Sequence, residues 1–374
     1  MINELPDTQF ERARSLFCGF DYSLSIQAAF EGNSPCRIFV DDLVRPQTAL
    51  ALTVEGYLLA GETGNLETNL ALQRFFKDRI FTGQVFINGD VSMSLAVHPE
   101  TWEAKLPELI PTHEVEKLDR YFYICRNLRR HWRHEIPTGY AILRLDQSIL
   151  HEAGVNFNHR VREWMDIQQV WGTEQNFLAK GISYVAIYNQ EVVAWCTPDC
   201  AAGERMDVGV FTHPAHRRKG LASAVVAATV EDCFSKGYTA VGWHCNAENV
   251  ASWKTAEKVG FKRTREYAYY YYMYDLVDHL AELGWYNYRR GEYAQCVQYF
   301  EQVFTLRKEN PDYYYHLAAS AWALIGNGAQ ALAYLGAAAE HGWSDTAYTR
   351  GQEEFSIIRD TRAWRLVLAR MEEN

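Results

Sequence analysis

His213-Pro214-Ala215-His216-Arg217-Arg218-Lys219-Gly220-Leu221-Ala222 is the stretch on which the fold turns. On its N-terminal side residues 206–212 are short, apolar and rich in β-branched side chains, interrupted by Asp207 and Gly209, which predicts a strand. On its C-terminal side Leu221, Val225, Thr229 and Cys233 recur every four residues beside Ala222, Val226, Val230 and Phe234. That is a helical period with an apolar face, and Gly237 ends it. A second apolar run, 240–245, predicts another strand, and a crossover of this length implies a parallel βαβ unit. The loop therefore lies where a strand hands over to a helix. The first turn of a helix leaves backbone N–H groups without partners and carries the positive end of its dipole, so it attracts phosphate. Gly220 lets a pyrophosphate approach the backbone closely, and Arg217, Arg218 and Lys219 supply cationic donors at the rim.

The spacing Arg217-x-x-Gly220-x-Ala222, with Pro214 at the turn before it, resembles the pyrophosphate loop of the GNAT family of N-acetyltransferases, Q/R-x-x-G-x-G/A. Asn249-Val250-Ala251-Ser252 followed by Ala256-Glu257-Lys258-Val259-Gly260-Phe261 is similar to that family's next segment, N-x-x-S or N-x-x-A leading to E-K-x-G-F. Three features in this order over about fifty residues make the resemblance specific. It implies an α/β (α+β) acyl-CoA N-acyltransferase fold with a mixed central sheet. It also implies acetyl-CoA as co-substrate, with backbone N–H groups of the strand through Val210, Phe211 and Thr212 along the pantetheine arm and acyl oxygen. Arg217, Arg218, Lys219, Gly220, Leu221 and Ala222 would hold the phosphates. Asn249 and Ser252 would contact the cofactor; Asn249 reads equally as the N-cap of the helix after it.

Acyl transfer from a thioester needs an uncharged amine about 3 Å from the carbonyl, removal of a proton and stabilisation of the developing oxyanion. Asp207 stands where the family often carries an acid near the start of the strand, with Glu204 as the alternative; Asp207 also reads as a surface acid or a partner of Arg205. The tyrosine that in the family often precedes E-K-x-G-F, and protonates the leaving thiolate, is here Ala256. Ser252 and the tyrosines of 267–274, Tyr269 among them, are candidates to replace it. Alternation would set Tyr267, Tyr269 and Tyr271 on one sheet face and Tyr270, Tyr272 and Tyr274 on the other, where they either pack or line an apolar or cationic acceptor pocket. His213, His216 and His244 are candidate bases by residue type, although loop and strand histidines are usually structural or solvated.

Outside this core the chain is ordinary in composition, at 48% hydrophobic and 22% charged residues. Its length of 374 residues predicts two or three domains. The formal charge of −10 argues against a nucleic-acid partner and mildly favours a cationic acceptor such as an amine. No apolar run approaches the ~20 residues of a membrane span, and residues 1–20 lack a basic segment leading into a long apolar one. The eight cysteines show no framework or zinc-ligand spacing, Cys196 and Cys200 having no second close pair. The expectation is a cytoplasmic protein with free thiols and no metal.

Residues 1–134 read as a noncatalytic GNAT-like companion domain, with strands at 36–40, 48–53 and 57–60, helices at 65–76 and 100–109, and a strand at 84–87. The run 32–42 resembles the start of a bacterial GNAT subgroup. Residues 135–276 read as the catalytic domain: a strand at 140–145, one or two helices within 157–171 where the family has its acceptor-site lid, a hairpin of 181–188 with 192–197, then the loop region, a helix at 249–259 and closing strands over 262–274. Residues 277–374 change character. Gly291, Tyr293, Cys296, Phe300 and Val303 have the spacing of a tetratricopeptide (TPR) repeat, and Gly326, Ala331, Leu335 and Ala338 follow about 35 residues later. Such a tail either covers an edge or forms a homodimer, or offers a protein or peptide partner a groove. Two functions stay open: an N-acetyltransferase (EC 2.3.1 class) acting by direct attack of a primary amine in a ternary complex, and a catalytically degenerate GNAT serving as a CoA-sensing or protein-binding scaffold.

Overall fold

The apolar runs of the first 273 residues assemble into one mixed sheet. The computed structural model describes residues 1–85, 91–129, 131–151, 155–157 and 167–373. Twelve strands are found among them: β1 (Asn3–Leu5), β2 (Cys36–Val40), β3 (Thr48–Thr53), β4 (Gly56–Gly61), β5 (Ser92–His98), β6 (Glu116–Cys125), β7 (Tyr140–Arg144), β8 (Tyr184–Tyr188), β9 (Glu191–Ala202), β10 (Arg205–Thr212), β11 (Ala240–Asn246) and β12 (Lys262–Met273). They lie side by side in the order β1-β2-β3-β4-β5-β12-β6-β11-β10-β9-β8-β7.

The two halves of the sheet repeat one layout. β2, β3 and β4 form an antiparallel meander, the helix Leu66–Phe75 crosses over, and β5 pairs parallel to β4. β8, β9 and β10 do the same, the helix Leu221–Ser235 crosses over, and β11 pairs parallel to β10. The last strand of each half is exchanged: β6 lies between β11 and β12, and β12 lies between β5 and β6.

Local chemistry explains the elements. Asn189 and Gln190, both at positive φ, make the two-residue turn of the β8–β9 hairpin. The helix Leu221–Ser235 is apolar round most of its circumference because the second half wraps it, and Leu221, Val225, Val226, Val230 and Cys233 are each at most 1% exposed. Each such side chain contributes ~1.5–3 kcal/mol of burial. Their core partners include Val185, Cys196, Val208, Val241 and Trp243.

Several expectations change in detail. The closing strands expected over 262–274 are the single long strand β12, with an irregularity between Arg263 and Arg265. The helix expected at 100–109 is a 3-10 turn, Glu100–Lys105, passing into Leu106–Leu109. β5 and β6 were not expected. Of the strand expected at 84–87, Gln84 and Val85 form a bend and the rest lies outside the described residues. Of the helices expected in 157–171, Ile167–Trp171 is described and 158–166 lies outside the described residues.

Contacts divide the chain into two compact units, residues 1–271 and 272–374. The second unit is helical: Leu276–Arg290, Tyr293–Leu306, Asp312–Leu324, Gly328–Glu340, Thr346–Gly351 and Arg362–Glu372. Asp275 caps its first helix by accepting from the Val277 and Asp278 backbone N–H groups. Gly291 at φ +81° closes that helix and Gly326 at φ +86° follows the third. Gly284 must lack a Cβ because one would stand 2.8 Å from the Phe300 ring.

Candidate active site

The parallel ladder between β10 and β11 lasts for Arg205↔Ala240, Met206↔Val241 and Asp207↔Gly242 and ends there. β10 runs on along β9 to Thr212↔Ala194, and β11 runs on along β6 to Asn246↔Arg120. Beyond Asp207 the two strands part, and a cavity of about 490 Å³ opens in the wedge. Gly209 and Val210 line one wall, Trp243 and Asn246 the other.

Asp199 reaches this cavity because of a bulge. Asp207 pairs with Cys200 and Val208 with Pro198, so Asp199 is the extra residue of β9, and such bulges re-aim a side chain. Its carboxylate lies over Gly209, where a Cβ would meet Oδ1 at 2.9 Å. Burial raises the Asp199 pKa well above the carboxylate range, the negative charges of Glu55 and Asp207 add to the rise, and Arg120 opposes it. Glu55 comes from the turn between β3 and β4 and also lines the cavity. That turn is fixed by Thr53, whose hydroxyl donates to the Gly56 carbonyl at 2.8 Å and meets Ser25 Oγ at 2.9 Å. Glu55, Cys200 and Asp207 bring side-chain atoms within 4.8 Å of one another, and burial raises the Cys200 thiol pKa well above its ordinary value.

The segment 213–220 joins strand to helix as expected. A 3-10 turn, Pro214–His216, leads through Arg218 at φ +64° and Gly220 at φ +82° into the helix Leu221–Ser235, which has no side-chain cap. The space beside Gly220 is open: an added Cβ would find nothing within 4 Å. The N–H groups of Leu221 and Ala222 begin the uncapped turn. Arg217 braces the loop by donating from Nε to the Thr212 carbonyl at 3.1 Å, and Arg218 is exposed. Lys219 donates to the Tyr140 hydroxyl at 2.8 Å, and that hydroxyl meets His216 Nδ1 at 2.8 Å. Burial, then the charges of Lys219 and His213, lower the His216 pKa.

The other predicted residues separate. Asp207 is 1% exposed and faces away from open solvent: Arg205 Nε stands 3.2 Å from Oδ1 and His244 Nε2 3.4 Å from Oδ2. On its other ring nitrogen, His244 Nδ1 and the Tyr267 hydroxyl form a hydrogen bond at 2.9 Å. Of the readings of Asp207 as base, surface acid or partner of Arg205, the geometry shows the partner, and its burial excludes the surface acid. Glu204 sits in the exposed β9–β10 turn, at the end of β10 away from the wedge, and does not line the cavity. Ser252 and Asn249 do line it. Ser252 Oγ accepts from Trp243 Nε1 at 3.0 Å, and Asn249 Oδ1 accepts from the Ser252 N–H at 3.1 Å as the helix cap. Val210 lines the cavity, Phe211 packs against Trp195, and Thr212 ends the strand. Tyr267 and Tyr269 face the cavity, with Tyr269 donating to Asn246 Oδ1 at 3.3 Å, while Tyr270 and Tyr272 are buried on the other face. Ala256 is fully buried. Sequence reasoning missed Asp199, Glu55 and Arg120; only the Pro198 beside Asp199 hinted at an irregular strand.

Comparison with known proteins agrees with this fold. The chain is 22% identical over 274 residues to "Uncharacterized N-acetyltransferase YdfB" of Bacillus subtilis (strain 168), covering 72% of this chain and 98% of that one. The fold is similar to that of a GCN5-related N-acetyltransferase-like protein from Streptococcus suis, with a TM-score of 0.51 at 22% identity over 70% of this chain and 98% of the other. A family model described as GNAT acetyltransferase matches residues 14–270, more than half of the sequence. The chain belongs to the GNAT acetyltransferase family.

Proposed function

We propose that the protein is an acetyl-CoA-dependent N-acetyltransferase that moves the acetyl group to a primary amine by direct attack in a ternary complex. One observation carries this reading: the β10–β11 ladder stops at Asp207, and the same β10 ends in a loop that opens an uncapped helix at Gly220. The wedge suits the pantetheine arm, with the thioester beside Gly209 and Val210, and the helix start suits the pyrophosphate. Leu221 and Ala222 would give backbone N–H groups to it, Arg217, Arg218 and Lys219 positive charge, and Asn249 and Ser252 the far wall. Residues 1–134 act as a companion half, 135–276 carry the catalytic loop, and 277–374 form a TPR-like segment, a reading supported by its successive helix pairs and the positive-φ glycines Gly291 and Gly326. We place the protein in the cytoplasm, in keeping with eight free cysteines; no helix among the described residues is long and apolar enough to cross a membrane.

The test is thermal unfolding with and without acetyl-CoA, on the parent and on Gly220→Glu, followed by CoA release with a panel of primary amines. At 100 times its dissociation constant a ligand stabilises by ~2.7 kcal/mol, about 5–10 °C here. The shift is expected in the parent and absent in the variant, whose own left-handed backbone costs only ~1–2 kcal/mol. No shift in either protein sinks the cofactor site. A shift without turnover of any amine favours the scaffold reading, to which the fully buried Ala256 in the usual tyrosine position lends weight.

A further inference from the structure

We propose that Asp199 is the proton acceptor for the attacking amine, and that Glu55, delivered from the companion half, sets the pH at which it works. This rests on the transferase reading and adds to it the residue that removes the proton.

The argument begins with position. Transfer places the amine nitrogen beside the thioester carbonyl, which in the wedge lies along Gly209 and Val210. Asp207 is sealed behind that wall by Arg205 and His244. Asp199 is not: the bulge that opposes Cys200 to Asp207 and Pro198 to Val208 turns its carboxylate over Gly209 and into the cavity. No protein group among the described residues donates a hydrogen bond to it, so its oxygens are available to an incoming N–H. Gly209 is needed for this seat, because a Cβ there would stand 2.9 Å from Oδ1.

Charge follows from the surroundings. Glu55 faces Asp199 from the β3–β4 turn, Asp207 and Arg205 from β10, Arg120 from β6, His244 from β11 and Tyr267 from β12, with Cys200 adjacent in β9. Burial and the two neighbouring acids outweigh Arg120 and raise the Asp199 pKa. A carboxylate raised in this way is a better base near neutral pH than an ordinary one.

The step balances. The neutral amine nitrogen attacks the thioester carbon, the C–N bond forms, and the C–S bond breaks with its electron pair leaving on sulfur. The amine proton moves to Asp199 and then, through cavity water, to the CoA thiolate. Amine plus thioester gives amide plus thiol, and Asp199 is again a carboxylate.

The experiment uses the full chain, acetyl-CoA and the primary amine from the panel that releases CoA fastest. For Asp199→Asn we expect kcat to fall ~100-fold or more, an unchanged acetyl-CoA thermal shift, and loss of the acid limb of the pH–kcat profile. For Glu55→Gln we expect the acid limb to move to lower pH, since removing a negative neighbour lowers the Asp199 pKa. An Asp199→Asn protein with kcat within a few-fold of the parent and the same acid limb overturns the assignment while leaving the transferase reading intact. An unmoved limb in Glu55→Gln removes the tuning role. A parent that neither binds acetyl-CoA nor turns over any amine overturns the transferase reading, and the proposal with it.

Discussion

Gly242→Ala separates backbone preference from close packing at the wedge. Gly242 is a strand residue without a left-handed φ, so alanine there is ordinarily favourable by ~0.5–1 kcal/mol. The structure reverses the sign. A Cβ would lie 1.9 Å from Asp207 Oδ1, 2.7 Å from its Cγ and 3.1 Å from Phe122 Cε2. Backbone holds one side of this contact and a carboxylate only 1% exposed the other, so Asp207 must swing out and give up Arg205 and His244. Overpacking costs ~1–3 kcal/mol and breaking a buried pair ~3–5 kcal/mol, and partial relaxation leaves a net loss of about 2–4 kcal/mol. For a unit of this size that is a fall in Tm of about 5–15 °C. Calorimetry or circular dichroism reads it directly. In an Asp207→Ala background the obstructing carboxylate is gone, and the same alanine should cost ~1–3 kcal/mol less. A Gly242→Ala protein as stable as the parent, or more so, would show that Asp207 does not lie over Gly242, and its contacts with Arg205 and His244 would have to be redrawn.

Three further outcomes are expected. Asn249→Ala loses the cap on Ser252 and should lower stability by ~1 kcal/mol, whereas Asn249→Ser keeps a capping oxygen; if serine restores stability but not acetyl-CoA affinity, Asn249 also touches the cofactor. In the helical unit His316, 4% exposed, is stacked on Trp343 at 4.2 Å and bonded to Thr349, and burial lowers its pKa to about 4 from 6.5. The unfolded chain therefore takes up a proton below pH ~6.5 that the folded unit refuses until pH ~4, so stability falls over that window by up to ~3 kcal/mol, and not above it. In urea melts the advantage of the parent over His316→Gln should shrink between pH 7.5 and pH 4.5; a constant difference refutes the burial argument. Thiol labelling of the native protein should find Cys18, the one exposed cysteine, reacting fast and the six buried ones reacting only on unfolding, because burial raises thiols such as Cys196, to about 12.

What the sequence disclosed was local. Gly220, the four-residue period of 221–234 and the apolar runs on either side each report a backbone conformation fixed within a few residues, and the strand–loop–helix–strand order follows from them. Asp199 was illegible because a bulge is a property of two strands in register: Pro198 and Asp199 look like a strand end until Val208 is seen opposite Pro198. Glu55 was illegible for a stronger reason, since nothing near it in sequence says that the turn it occupies opens onto a cavity floored by residues 208–210.

β6 hides the longest-range fact. Its first half alternates exposed Lys117 and Asp119 with buried Leu118, and its second half carries buried Phe122, Tyr123 and Cys125, so no single period runs through it. The change of pattern has a cause: the strand serves two neighbours at once, pairing Glu116 through Ile124 with β12 and Arg120 through Cys125 with β11. A boundary at residue 134 divides the chain by motif but not by hydrogen bonds. Taking residues 1–134 away would strip β11 of the strand that holds Trp243, His244 and Asn246 in the cavity wall, and would leave β12 with neither neighbour. Residues 1–134 thus belong to the same sheet as the cavity wall, and Glu55 from their β3–β4 turn lies within electrostatic reach of Asp199.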